Sequence, residues 1–101
     1  MTDEQLEKEI VLKGLTAPRF TPSDINKKVK SESYTILPSG KTLVCEIILE
    51  NGFGVRGEAS VVDPRNFDME IGKTISRNDA VSKIWALEGY LLQERLYQSN
   101  K

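Results

Sequence analysis

Histidine is absent from the 101 residues, and that removes most familiar catalytic groupings. No Ser-His-Asp or Cys-His arrangement can form. A His-containing zinc site is excluded, and Cys45, the only cysteine, cannot build a thiolate site alone. No metal and no cofactor is expected. Asp63, Asp68 and Glu70 gather near a helix start, where carboxylate or metal-carboxylate catalysis is the chemistry open to them. Asn51-Gly52-Phe53-Gly54 is too short for a phosphate-cradling loop and sits in a hairpin. Arg56 with Glu58 reads as a cross-sheet ion pair or an interface contact. Lys27, Lys28 and Lys30 read as a solvated face. These residue types point to a protein that binds, not to an enzyme.

The whole-chain composition narrows the partners. Fourteen basic residues face fifteen acidic ones. That balance argues against a non-specific DNA or RNA binder, which carries a strongly basic face. It argues equally against an acidic DNA mimic. No apolar run reaches the ~18 residues that a membrane span needs. The N-terminus carries Asp3, Glu4, Glu7 and Glu9 and lacks the plan of a signal peptide. With one cysteine, the expected setting is the reducing cytoplasm. A domain of this size buries roughly 60–70% of its unfolded surface, so its stability margin is narrow and self-association would help it.

The elements that would position these groups follow from local pattern. Residues 2–13 suggest a short amphipathic helix ending near Gly14, with a connector from Thr16 to Phe20. Thr21-Pro22-Ser23-Asp24 is a capped start for a helix running to about Lys30, with Ile25 and Val29 on its buried side. Tyr34 to Leu37 is a short strand. Thr42–Glu50 and Phe53–Val62 flank Asn51-Gly52, a strong signal for a two-residue hairpin turn. That turn sets Ile48 opposite Val55 and Val44 opposite Ala59. One face then gathers Val44, Ile48, Phe53, Val55, Ala59 and Val61 as core. The other carries Leu43, Cys45, Ile47 and Leu49 with Arg56, Glu58 and Ser60. That second face suits a subunit contact or a pocket, or is simply covered by the helix at 22–30.

Asp63-Pro64 opens a further helix by the same cap-and-proline logic. Phe67, Ile71 and Ile75 recur every four residues as a buried stripe. Ser76 to Asp79 is a polar break. Ala80, Ile84, Leu87 and Leu91 resume on one line, with Val81, Trp85 and Leu92 beside it. The expected architecture is α+β: a small antiparallel sheet (hairpin 42–62 plus the strand 34–37) packed with C-terminal helices, the N-terminal helices flanking. One domain spans 1–101, with an N-terminal helix and connector at 1–20, a core at 21–97 and a tail at 98–101.

The second half carries a distinctive string. It runs Asn51-Gly52-Phe53, Gly57-Glu58, Asn66-Phe67-Asp68, Glu70-Ile71-Gly72, Ala80, Lys83-Ile84-Trp85 and Leu87-Glu88-Gly89-Tyr90-Leu91-Leu92. Over roughly residues 18–97 this resembles a family of small tailed-phage and prophage accessory proteins. Ala86 stands where many relatives have proline, so the helix there can run through. The string also looks like that of the phage Thoeris anti-defence sponges, which bind a cyclic ADP-ribose signal without degrading it. Some of those also sequester cyclic oligonucleotides, and they form homo-oligomers. The resemblance implies a nucleotide-derived small-molecule partner, self-association, and action in the infected host cytoplasm.

Such a ligand needs a stacking aromatic, donors for phosphate and acceptors for hydroxyls. By resemblance Phe67 would stack, Asn78 would hydrogen-bond and Arg95 would pair with phosphate, supported by Arg77. Arg65 lies at a helix start that favours anions, and Arg56 completes the set. Arg95 would return toward Asn78 if the late helices fold back. Ordinary roles stand beside these. Phe67 begins the Ile71/Ile75 stripe, Arg77 and Arg95 suit solvated helix positions, and Asn78 suits a helix end. A module that docks on and inhibits a host protein is the other reading.

Overall fold

Each helix begins where a side-chain cap satisfies its free amides. In the computed structural model, which describes residues 2–15 and 17–101, Thr2 caps α1 (Asp3–Leu12) and Thr21 caps α2 (Pro22–Lys28). Thr21 Oγ1 accepts from the Asp24 amide at 3.2 Å, and Asp24 Oδ2 accepts from the Thr21 amide at 2.9 Å. Thr16 of the connector lies outside the described residues. Asp63 caps a 3-10 turn (Pro64–Asn66), so the helix expected at Pro64 is only this turn. The long helix α3 (Met69–Ser99) starts instead at Asp68, whose Oδ1 accepts from the Ile71 amide at 2.9 Å.

Strands β1 (Val29–Ile36), β2 (Thr42–Leu49) and β3 (Gly54–Ser60) form one antiparallel sheet in the order β1-β2-β3. The helix α3 packs across one face, so the fold is α+β with two layers. The first strand starts at Val29, directly after α2, and is longer than the expected segment 34–37.

The register differs from expectation by one residue. Leu43 pairs with Ala59, Cys45 with Gly57 and Ile47 with Val55. The turn holds three residues, with the Gly52 amide donating to the Leu49 carbonyl at 2.8 Å and Gly52 at φ 92°. This is the type I turn with a glycine bulge, which uses Asn-Gly as readily as the two-residue turn does. A one-residue slip exchanges the faces of β2. Leu43, Cys45, Ile47 and Leu49 are therefore the core, with Val55 and Ala59 opposite them. Val44, Ile48, Arg56 and Glu58 lie on the open face.

The helix surface is corrected in the same way. The buried line of α3 is Gly72, Ser76, Ala80, Ile84 and Glu88. Ile71 and Ile75 are 60% and 51% exposed, and Leu87 and Leu91 are half-exposed. Small residues face the sheet because the backbones nearly touch. A Cβ on Gly57 would lie 2.1 Å from the Ser76 carbonyl oxygen and 2.3 Å from the Ala80 nitrogen. Ser76 is thus a contact residue and no break occurs; α3 is continuous for 31 residues. Fully buried Leu43, Ile47 and Ile84 each contribute roughly 1.5–3 kcal/mol by leaving water.

The margins of the sheet are unlike each other. Beside β3, the Glu58 amide donates to Asp79 Oδ2 at 3.0 Å and the Lys83 ammonium donates to the Arg56 carbonyl. Two side chains of α3 thereby occupy two of that edge's outward main-chain groups. Beside β1, Arg77 pairs with Glu32 at 2.8 Å, and the Lys73 ammonium lies 5.4 Å from the centre of the Tyr34 ring. The helix α1 buries no residue; an Arg19–Glu7 ion pair ties it down.

Candidate functional site

A hollow of about 450 Å³ lies between the start of β3 and the middle of α3. The turn at Gly52 delivers Phe53 to one wall, and Val55 and Arg56 follow along β3. From α3 come Lys83, Leu87 and Tyr90, spaced by four and three and so on one face of the helix. Phe53 and Tyr90 are 54% and 70% exposed, well above what core packing would leave.

The charge of the hollow is one-sided. Arg56 and Lys83 line it, and none of its lining residues is acidic. Arg56 also meets Glu46 across the sheet at 3.5 Å, a long, half-exposed contact that holds the guanidinium weakly. Its partner is therefore Glu46 and not Glu58. Lys83 is pinned by the Arg56 carbonyl but keeps two further N–H donors. Two aromatic rings beside two cations can hold a flat ring carrying a phosphate. No carboxylate lines the hollow.

Of the six residues singled out from the sequence, only Arg56 lines this hollow. Arg65 is a surface side chain paired with Asp63 at 2.6 Å. Phe67 is half-buried against Gly72. Arg77 faces β1 and is held by Glu32, while Asn78, next along α3, is exposed. Arg95 stands seventeen residues beyond Asn78 on the same unbroken helix, roughly 26 Å away at 1.5 Å per residue. The fold-back that would bring it to Asn78 does not occur within one chain.

Two of the three carboxylates considered for catalysis are occupied structurally, and the third, Glu70, is exposed. Asp63 holds the turn and Arg65, which keeps its carboxyl below the usual range, and Asp68 caps α3. Among the described residues no three His, Cys, Asp or Glu side chains converge as a metal site would require. A larger groove of about 740 Å³ separates α1 from α2. Asp3, Glu4 and Glu7 line it with only Lys8 to oppose them, so it repels phosphate.

Sequence reasoning placed Phe53 on the core face and used Lys83 and Tyr90 only as parts of a string. The usable signal was the spacing of Lys83, Leu87 and Tyr90, together with an aromatic residue just after a hairpin turn.

A model of the phage protein (N4 Gp49/phage Sf6 gene 66) family matches residues 20–96. The chain belongs to that family. In this N4 Gp49/Sf6 gene 66 family member the match runs from the end of the connector to the last turns of α3. It takes in every residue that lines the hollow and leaves α1 outside. No curated protein and no solved structure matches the chain. The family match identifies a phage protein.

Proposed function

We propose that this phage protein is a sponge, which binds and sequesters a cyclic nucleotide immune signal in the host cytoplasm without degrading it. The ligand class is a cyclic ADP-ribose isomer, with cyclic oligonucleotides as an extension. The supporting observation is the hollow that pairs Phe53 and Tyr90 with Arg56 and Lys83 and contains no carboxylate. A purine stacked on an aromatic ring is worth roughly 1–3 kcal/mol by alanine substitution. A charge-assisted hydrogen bond to phosphate adds about 1.5–3 kcal/mol. Arg77, Asn78 and Arg95 enter this reading only as groups offered to another copy in a homo-oligomer, since α3 holds them apart.

Calorimetric titration with cyclic ADP-ribose isomers and cyclic oligonucleotides tests it. The expected result is saturable binding, intact ligand after heat release, and about tenfold weaker binding in Tyr90→Ala or Lys83→Ala. Absence of heat with every cyclic nucleotide, or recovery of cleaved ligand, overturns it. The exposed group Phe53, Leu87 and Tyr90 also favours a second reading, docking on a host protein. A stoichiometric host protein retained on the wild type, lost on Phe53→Ser, and indifferent to nucleotide would establish that reading instead.

A further inference from the structure

The larger groove, about 740 Å³ between α1 and the start of α2, lies apart from the hollow. One face of α1 forms its long wall. Asp3, Glu7 and Val11 stand in one row of that face, and Glu4, Lys8 and Leu12 in the next, at helical spacings of four. The face is graded from end to end, with carboxylates at the first turn and apolar side chains at the last. Pro22 of α2 adds a further apolar surface. These apolar groups are uncovered. Leu12 is 81% and Val11 55% exposed, and α1 buries no residue. Among the described residues no lysine or arginine pairs with Asp3 or Glu4, whereas Glu7 is held by Arg19. The family match starts at residue 20, so the α1 wall is no part of it.

We propose that this groove is a docking site for a basic amphipathic helix of another protein, laid antiparallel to α1. It is independent of both readings of the hollow. Charge complementarity selects the occupant. Three carboxylates against one lysine repel nucleic acid and an anionic lipid surface alike. Val11, Leu12 and Pro22 select against a bare polycation, which has no apolar side to bury. A helix with apolar side chains toward one end and lysine or arginine toward the other satisfies both demands. Recognition of a helix in a groove works through such apolar anchors on one face.

Length and direction follow from α1 itself. Asp3–Leu12 spans about 15 Å at 1.5 Å per residue, so the groove holds roughly three turns of a partner helix. The partner's cations belong over Asp3 and Glu4, and its apolar side chains over Val11 and Leu12. Run antiparallel, the partner brings its C-terminal turn to the carboxylates. Lysine and arginine are favoured in a last turn by the helix's own dipole. Run parallel, the same cations would fall in a first turn, where the dipole opposes them. The dipoles of the two helices also attract each other only in the antiparallel arrangement. The recognised segment is therefore apolar in its first half and basic in its second.

A synthetic probe tests this with the full chain. It is a fluorescein-labelled helix of roughly twelve residues, leucine and alanine in its first half, leucine and lysine in its second. Fluorescence anisotropy should show saturable binding that weakens with added salt. Leu12→Ser should weaken it about tenfold. Asp3→Asn with Glu4→Gln should weaken it roughly fivefold, with the helical circular dichroism unchanged. Glu7 is kept, because its pair with Arg19 ties α1 down. Ile75→Ser, at an exposed apolar position outside the groove, should leave binding as it was. The probe with its halves exchanged should bind several-fold more weakly, and one with glutamate for lysine should not bind. Absence of binding, or equal binding by Leu12→Ser, overturns the proposal. Equal binding of the exchanged or the glutamate probe does so too, as does saturable binding of spermidine with none of the peptide. If the acid-to-amide variant loses helix, Leu12→Ser decides alone.

Discussion

Gly57 is where the smallest change should do the most damage. Its missing side chain lets the backbones of β3 and α3 meet, and the atoms in the way are backbone atoms that cannot rotate aside. Overpacking a core costs about 1–3 kcal/mol when side chains can yield. Gly57→Ala should cost at least the upper end of that range, read as a large fall in the urea midpoint. Gly54→Ala is the control. Its Cβ would meet the tip of Ile48 at 3.3 Å, a flexible group that can move, so less than about 1 kcal/mol is expected. Cys45 makes a different residue-scale statement. It is fully buried, and burial pushes its thiol upward from 9.0. A thiol reagent at neutral pH should leave it unlabelled until the protein unfolds.

At the scale of elements, α3 and the hairpin show what pattern can and cannot carry. The caps at Thr21 and Asp63, the hairpin itself and the α+β architecture were legible because each depends on residues close in sequence. The register was not, since Asn-Gly serves two turns that differ by one residue. The buried side of α3 was hidden for a related reason. A stripe of Gly72, Ser76 and Ala80 has little hydrophobicity, while Ile71 and Ile75 have much and lie outside the core. Proximity of backbones, not greasiness, selected that face, and a hydrophobic pattern cannot register proximity. The contrast is measurable. Ile84→Ala should destabilise by about 2–5 kcal/mol. Ile75→Ser should change unfolding by no more than about 0.5 kcal/mol, as an exposed position does. The hollow was partly legible, through Arg56, but its aromatic wall depended on the register that the sequence left open.

For the whole molecule, attachment is uneven. The sheet and α3 share a core, whereas α1 buries nothing and leans on the Arg19–Glu7 pair. Hydrogen bonding to Arg19 holds the Glu7 carboxyl below its ordinary value of 4.5. The folded state thus binds its proton less readily than the unfolded chain does. That contribution is present in full above about pH 4.5 and is lost as pH falls through the lower folded value. Acid should therefore release α1 before the core melts. Proteolysis in the connector after α1 should accelerate as pH falls below about 4.5, with near-ultraviolet dichroism of Trp85 still native.

The asymmetry between the two margins also governs how far such a sheet can grow. A strand array open on both sides can extend without limit, as fibrils do. Here a carboxylate and an ammonium group from the chain's own helix occupy two main-chain groups of one side. A strand adding beside β3 would first have to displace both contacts. Extension of the sheet through β3 is thereby opposed by the same helix that covers its core.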